Sequence, residues 1–219
     1  MKATRFRDRV EAGQRLAEAL RRYAGQDDVL VLALPRGGVP VAAELADALG
    51  APLDLMLVRK LGTPGHEELA LGAIASGGAI VFNDDLLAAL GIARDTIDAI
   101  IERERKELAR RDYAYRGARP PPEVAGKTVL LVDDGLATGA TMRAAVQALR
   151  RQRPGRVVVA VPVAPPDTVE RLRAEVDEVV ALATPEPFFG VGHWYQDFSQ
   201  TSDEEVRAHL ARHWKASNR

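Results

Sequence analysis

The chain contains no cysteine. Disulfides, thiol nucleophiles and thiolate metal sites are excluded together, while the cellular compartment stays open on that ground. No apolar run is long enough to span a bilayer, and the opening MKATRFRDRVEAG lacks the apolar core of a signal peptide. A cytoplasmic protein without a membrane partner is expected. Neither sign of charge dominates: 30 Lys and Arg stand against 31 Asp and Glu, a formal net charge of -1. That balance gives no electrostatic reason to expect a nucleic-acid partner. Also missing are a Walker Gly-x-x-x-x-Gly-Lys, a Gly-x-Ser-x-Gly and a Rossmann Gly-x-Gly-x-x-Gly. The histidines, at 66, 193, 209 and 213, form no zinc pattern, and the 209/213 pair reads as a helix surface. Internal repeats and low-complexity segments are absent.

What is present is an ordinary globular composition, 47% hydrophobic and 28% charged over 219 residues, which suits one domain, 1–219, with a large core. Periodicity predicts a helix over 6–23, a buried strand over 28–34, an Ala-rich helix over 39–49 ended by Gly50, and a strand over 53–58. Strand, helix, strand in that order implies a right-handed parallel crossover. The Gly- and Pro-punctuated stretch 59–71 reads as a loop, and the short apolar runs 72–75 and 79–82 as a hairpin. Asn83 is a candidate cap for a short helix. A longer helix is expected from 95 or 96 to 113, with Glu104 alone breaking its apolar stripe; its charged faces read as solvated. An extended connector, 115–126, carries three prolines. Then come a strand over 128–132, a helix over 140–150, a strand over 156–163, a helix over 167–174 and a strand over 176–182. The last helix opens with Ser202 as cap and Glu205 three residues on.

The most informative stretch is KTVLLVDDGLATGATM, 127–142. A β-branched and Leu run of this kind is buried on both faces of a parallel sheet. Asp133 and Asp134 therefore sit at a strand's carboxyl end, where open α/β sheets bind ligands. Gly135 and Gly139 let the backbone bend, and the helix that follows offers unpaired N–H groups beside the Thr138 and Thr141 hydroxyls, a phosphate cradle. Acids followed by a phosphate cradle describe a site for a phosphorylated sugar. In other doubly wound proteins an Asp pair after a strand is a metal site or a helix cap. A second loop, Pro35-Arg36-Gly37-Gly38, also joins a strand to a helix. Its glycines let N–H groups converge on an anion, and Arg36 adds a cation; by itself it could be only a tight turn. Arg59 and Lys60 close the next strand, as anion ligands or as plain surface charges. His66 is a candidate proton donor, or a solvated loop residue. Five of the eleven aromatics fall in 188–198. Phe189, Trp194 and Tyr195 could stack on a planar heterocycle or could form a satellite core.

The 130–141 stretch resembles the phosphoribosyl-pyrophosphate (PRPP) motif of type I phosphoribosyltransferases, and Arg36-Gly37-Gly38 is similar to that family's pyrophosphate loop. The resemblance covers about 28–182. It implies an α/β fold, a mainly parallel sheet with helices on both faces and a small hood subdomain, for which 184–200 with the N-terminal helix is the candidate. It implies transfer of a phosphoribosyl group from PRPP to a nitrogen nucleophile, a nucleobase or other small-molecule acceptor, with release of pyrophosphate. Asp133 and Asp134 would be the catalytic pair, holding the ribose 2- and 3-hydroxyls. Ala137, Thr138, Gly139, Ala140 and Thr141 would cradle the 5-phosphate. Arg36, Gly37 and Gly38, with Arg59 and Lys60, would take the pyrophosphate. Mg²⁺ would be held through substrate oxygens and water, with Asp133 and Asp134 as further candidate ligands. A cis peptide bond at Pro35–Arg36 is expected, and a homodimer fits the reading. Many purine-salvage members carry an acid where Ala137 stands, so the resemblance leaves the general base unassigned. A non-catalytic regulator binding PRPP or nucleotide on the same fold is the alternative, and a related C1 transfer or hydrolysis a further one.

Overall fold

The computed structural model describes residues 5–64 and 66–216; the side chains of 66–69, 84 and 216 lie outside that description. Helix α1 (Arg9–Ala19) leads through a 3₁₀ turn into strand β1 (Val29–Ala33). Helix α2 (Gly38–Leu49) and strand β2 (Leu53–Leu55) follow, then β3 (Val58–Thr63), β4 (His66–Ala75) and β5 (Ile80–Phe82). Next are α3 (Asp84–Leu90), α4 (Arg94–Arg116), β6 (Thr128–Val132), α5 (Ala140–Arg150) and β7 (Arg156–Val163). The chain closes with α6 (Pro166–Arg173), β8 (Glu178–Ala183) and α7 (Asp203–Ala216).

The main sheet is five-stranded and parallel, in the order β2-β1-β6-β7-β8. Its central strands are apolar but for Thr128 and Arg156 at their amino ends, because both faces are covered. Val31, Ala33, Leu130, Val132, Val158 and Ala160 face α1, α2 and α7. Leu32, Leu131, Val157, Val159 and Val161 face the other layer, against Met142, Val146 and Leu149 of α5 and Leu172 of α6. Each Val, Leu or Met among them contributes about 1.5–3 kcal/mol when fully buried. Local signals set the helix ends. The Asp8 side chain accepts from the Glu11 N–H at 2.8 Å, and Gly50 ends α2 in the left-handed region. Ser202 and Glu205 form a reciprocal capping box at 3.1 and 2.6 Å. The Asn83 cap is present. Among the described residues, no helix is long and apolar enough to cross a membrane.

Several sequence expectations need correction. The stretch 59–71 is largely strand: β3 and β4 pair antiparallel and β5 extends them into a second, three-stranded sheet. Gly62 misled because it sits where the ladder is irregular, between two register shifts. The expected strand over 53–58 is two strands in two sheets. Helix α4 runs three residues beyond 113, because Arg116 is drawn inward: its side chain is fully buried between Asp54, Asp112 and the Leu55 carbonyl. Val10 of α1 is exposed.

Candidate active site

Strands β1 and β6 are neighbours in register, Ala33 beside Val132, so the loops leaving their carboxyl ends meet. The Leu34 N–H donates to the Val132 carbonyl at 2.9 Å. A side-chain carbon at Gly38 would lie 2.8 Å from that carbonyl oxygen and 2.9 Å from Asp133 Cα. The Pro35–Arg36 peptide bond is cis, as expected. The Asp134 N–H donates to Asp133 Oδ1 at 2.8 Å. Burial pushes the Asp133 carboxyl well above the usual range, and the Asp134 charge pushes it further. Burial also raises Asp134, against the pull of the Arg9 guanidinium. Arg9 of α1 reaches Asp134 Oδ2 at 2.8 Å through both Nε and Nη2.

Beyond the acids, Gly139 takes φ 72° at the mouth of α5, a conformation that glycine adopts freely. A side chain there would also strike Thr168 Cγ2, 2.7 Å away. Thr168 is buried under the loop and donates from Oγ1 to the Ala137 carbonyl at 2.9 Å. Among the described residues, the N–H groups of Ala137, Thr138 and Gly139 have no acceptor; that of Ala140 reaches only Thr138 Oγ1, at 3.4 Å. Ala137, Thr138, Ala140 and Thr141 are exposed. The result is a row of orphan donors at a helix N-terminus, open to solvent.

Arg36, Arg59 and Lys60 do not converge. Arg36 faces a cleft of about 300 Å³ with Arg110, Arg111 and Tyr115, its Nη1 3.7 Å from Asp203 of α7. Tyr115 donates to Asp203 at 2.7 Å; burial and that bond push its phenol up to about 12. Arg59 forks onto Glu104 Oε2 at 2.9 and 2.7 Å, so the acid that broke the α4 stripe is the partner of a β3 cation. Lys60 lines a different groove, of about 550 Å³, against Arg143 and Gln147 of α5. Alternation along β3 sends the two side chains to opposite faces. The His66 side chain lies outside the described residues.

The aromatic segment does reach the acids. Tyr195 is buried and donates to the Asp134 carbonyl at 2.6 Å, with its ring stacked on Phe198 at 5.0 Å. Burial pushes its phenol above the ordinary range. It is a strut under the acid pair, not an open stacking face. Phe189 is 74% exposed, and Trp194 is half-buried. The N-terminal stretch pairs with this segment: Phe6 N–H donates to the Trp194 carbonyl, and Gln196 N–H to that of Phe6, both at 2.8 Å. Arg9 and Thr168 were not foreseen as parts of the site. They lie 125 and 31 residues from the groups they touch, with no local pattern to announce them.

A parallel sheet of this order, helices on both faces and a strand-acid-acid-loop-helix unit at its carboxyl edge make the architecture that of a type I phosphoribosyltransferase. The family model for the phosphoribosyl transferase domain matches residues 4–196, and the chain belongs to that family. It is 48% identical over 207 residues to the Mycobacterium tuberculosis protein Rv0571c, which carries a provisional phosphoribosyl transferase name. That match covers 94% of this chain but 46% of the relative, so the chain spans about half the length of the curated protein. The crystal structure of TT1426 from Thermus thermophilus superposes with a TM-score of 0.85 at 48% identity, over 95% of this chain and 99% of that one. A protein named bifunctional protein PyrR from Ralstonia nicotianae is 35% identical over 155 residues, 63% of this chain and 84% of its own.

Proposed function

We propose that this chain transfers the phosphoribosyl group of PRPP to a nitrogen of a small planar acceptor, a nucleobase being the class the site suits best. A C1–N bond forms, the C1–O bond to pyrophosphate breaks, its electron pair leaves with the pyrophosphate oxygen, and an acceptor that arrives with its N–H intact gives that proton to water. The observation that carries this is the contact between two loops at one sheet edge. Acids that can accept from ribose hydroxyls lie between an orphan-donor cradle at 137–140 and the close-packed turn at 35–38. The protein's part is to orient the donor and to face developing charge with fixed dipoles. The cradle takes the 5-phosphate, Asp133 and Asp134 the ribose, and Arg36 with the Gly37 turn the pyrophosphate. Arg59, already forked on Glu104, is dropped from the pyrophosphate set, and Lys60 faces away from Arg36. The 184–200 segment with the N-terminal stretch forms the acceptor hood, with the exposed Phe189 and the half-buried Trp194 as its aromatics.

The donor set suits Mg²⁺. Among the described residues no group of three or more metal-ligating side chains stands together. Two carboxylates offer hard oxygens, fitting an ion held mainly by substrate and water. Bound there, the ion supplies charge neutralisation on the pyrophosphate. Ala137 offers no proton acceptor, which favours acceptors that arrive as anions. The test is a screen of bases and amines with PRPP and Mg²⁺, read as pyrophosphate release. Release with a heterocyclic base supports transfer. PRPP binding with no release for any acceptor supports the regulator on the same fold. Absence of both overturns the reading.

A further inference from the structure

Arg9 is more enclosed than an arginine at the start of a surface helix need be. Its side chain is 11% exposed and that of its partner Asp134 is 13% exposed. Three separate groups hold the guanidinium. Nε and Nη2 meet Asp134 Oδ2, Nη1 donates to the Ser199 carbonyl at 2.7 Å, and the plane lies over the Phe198 ring, 4.0 Å from its centroid. Among the described residues no other cation pairs with either acid of the 133–134 pair. Two adjacent enclosed carboxylates repel each other and lose hydration, and one fixed counter-charge offsets part of both costs. The fork also stops the carboxylate turning about a torsion that is otherwise broad.

Both Arg9 contacts end on Oδ2. The side chains of Asp133 and Asp134 also meet each other, so the clamp on Asp134 bears on both acids. The Asp134 carboxylate is thus pinned by one oxygen, over the Gly37 turn.

We propose that Arg9 is a positioning residue for the donor's ribose: it clamps Asp134 by Oδ2 and so holds the acid pair in place to accept the ribose hydroxyls. The inference rests on the phosphoribosyl-transfer reading and deepens it. The N-terminal helix then belongs to the donor site as well as to the hood. Arg9 adds no direct contact to the cradle at 137–140 or to the pyrophosphate turn, so its removal bears on the ribose more than on the pyrophosphate.

The test compares wild type, Arg9→Met and Arg9→Lys by calorimetry with Mg²⁺, titrating ribose 5-phosphate, PRPP and inorganic pyrophosphate, each variant's fold being checked by thermal melting. Arg9→Met keeps the stacking length on Phe198 without the charge. It is expected to weaken ribose 5-phosphate and PRPP by about tenfold or more and to leave pyrophosphate within about twofold. Arg9→Lys, which keeps the charge without the fork, is expected to fall between wild type and Arg9→Met. Should Arg9→Met not fold, Arg9→Lys carries the test with the same split between ribose and pyrophosphate. Unchanged ribose 5-phosphate affinity, or equal losses for all three ligands, overturns the proposal. A wild-type protein that binds none of the three overturns the phosphoribosyl reading, and this inference with it.

Discussion

Gly37 packs so close to the Asp134 carboxylate that a side-chain carbon on it would lie 2.0 Å from Asp134 Oδ2. The turn after β1 and the acids after β6 are therefore one unit, and the glycine is required by contact more than by backbone freedom. Gly37→Ala must displace the carboxylate or the turn, and forced overpacking of this kind costs about 1–3 kcal/mol. The expected result is a measurable fall in Tm together with a larger loss of PRPP affinity. Gly37→Val should be worse on both counts. Normal PRPP binding by Gly37→Val would show that the two loops are independent.

The structure explains which parts of this unit were legible in the sequence. Strand β6 and helix α5 fall where the pattern placed them, because an unbroken β-branched run and a strong apolar stripe have few other solutions. The acids and the cradle came with them, being contiguous in the chain. The partnership of Arg9 with Asp134, of Arg59 with Glu104 and of Thr168 with the Ala137 carbonyl was not legible. Each depends on which elements the topology makes neighbours. The strands in 59–71 were hidden because antiparallel pairs absorb glycines at irregular rungs, which composition alone reads as loop.

Asp133 offers a prediction in which stability and function part. Its carboxyl is raised by burial and by Asp134, so the folded protein holds that proton more tightly than the unfolded chain does. Stability is then fully present below the unfolded value of about 3.9 and falls as pH rises towards the native value. Asp133→Asn removes that loss. Its Tm should exceed that of wild type at pH 7, and the advantage should vanish near pH 3. A variant less stable than wild type at pH 7 would contradict the assignment.

The buried cluster around Arg116 should behave in the opposite way when broken. Asp54 is buried and its carboxyl is raised by that burial, with the Arg116 charge pulling against it. Arg116→Met leaves this acid without its counter-charge, at a cost of about 3–5 kcal/mol at neutral pH. Below about pH 4 Asp54 takes up a proton in either state, so the deficit should shrink. A pH-independent deficit in chemical denaturation would show that lost packing, not lost charge, is the cause.

Two aromatics next to each other should separate by role. Tyr195→Phe deletes the bond to the Asp134 carbonyl, worth about 1 kcal/mol, and should raise the KM for PRPP. Trp194→Ala should spare PRPP and raise the KM for the acceptor, since stacking on one base is worth about 1–3 kcal/mol. Steady-state kinetics with each substrate varied in turn distinguishes them. Parallel effects of both variants on PRPP alone would remove Trp194 from the hood.

The most direct measurement of the central claim is PRPP affinity, by calorimetry with Mg²⁺, in wild type and in the double variant Asp133→Asn, Asp134→Asn. The substitutions keep shape and remove charge, so the fold, followed by circular dichroism, should persist. The account predicts that wild type binds PRPP and that the double variant loses both detectable binding and any pyrophosphate release. A folded double variant that binds PRPP as tightly as wild type would contradict it.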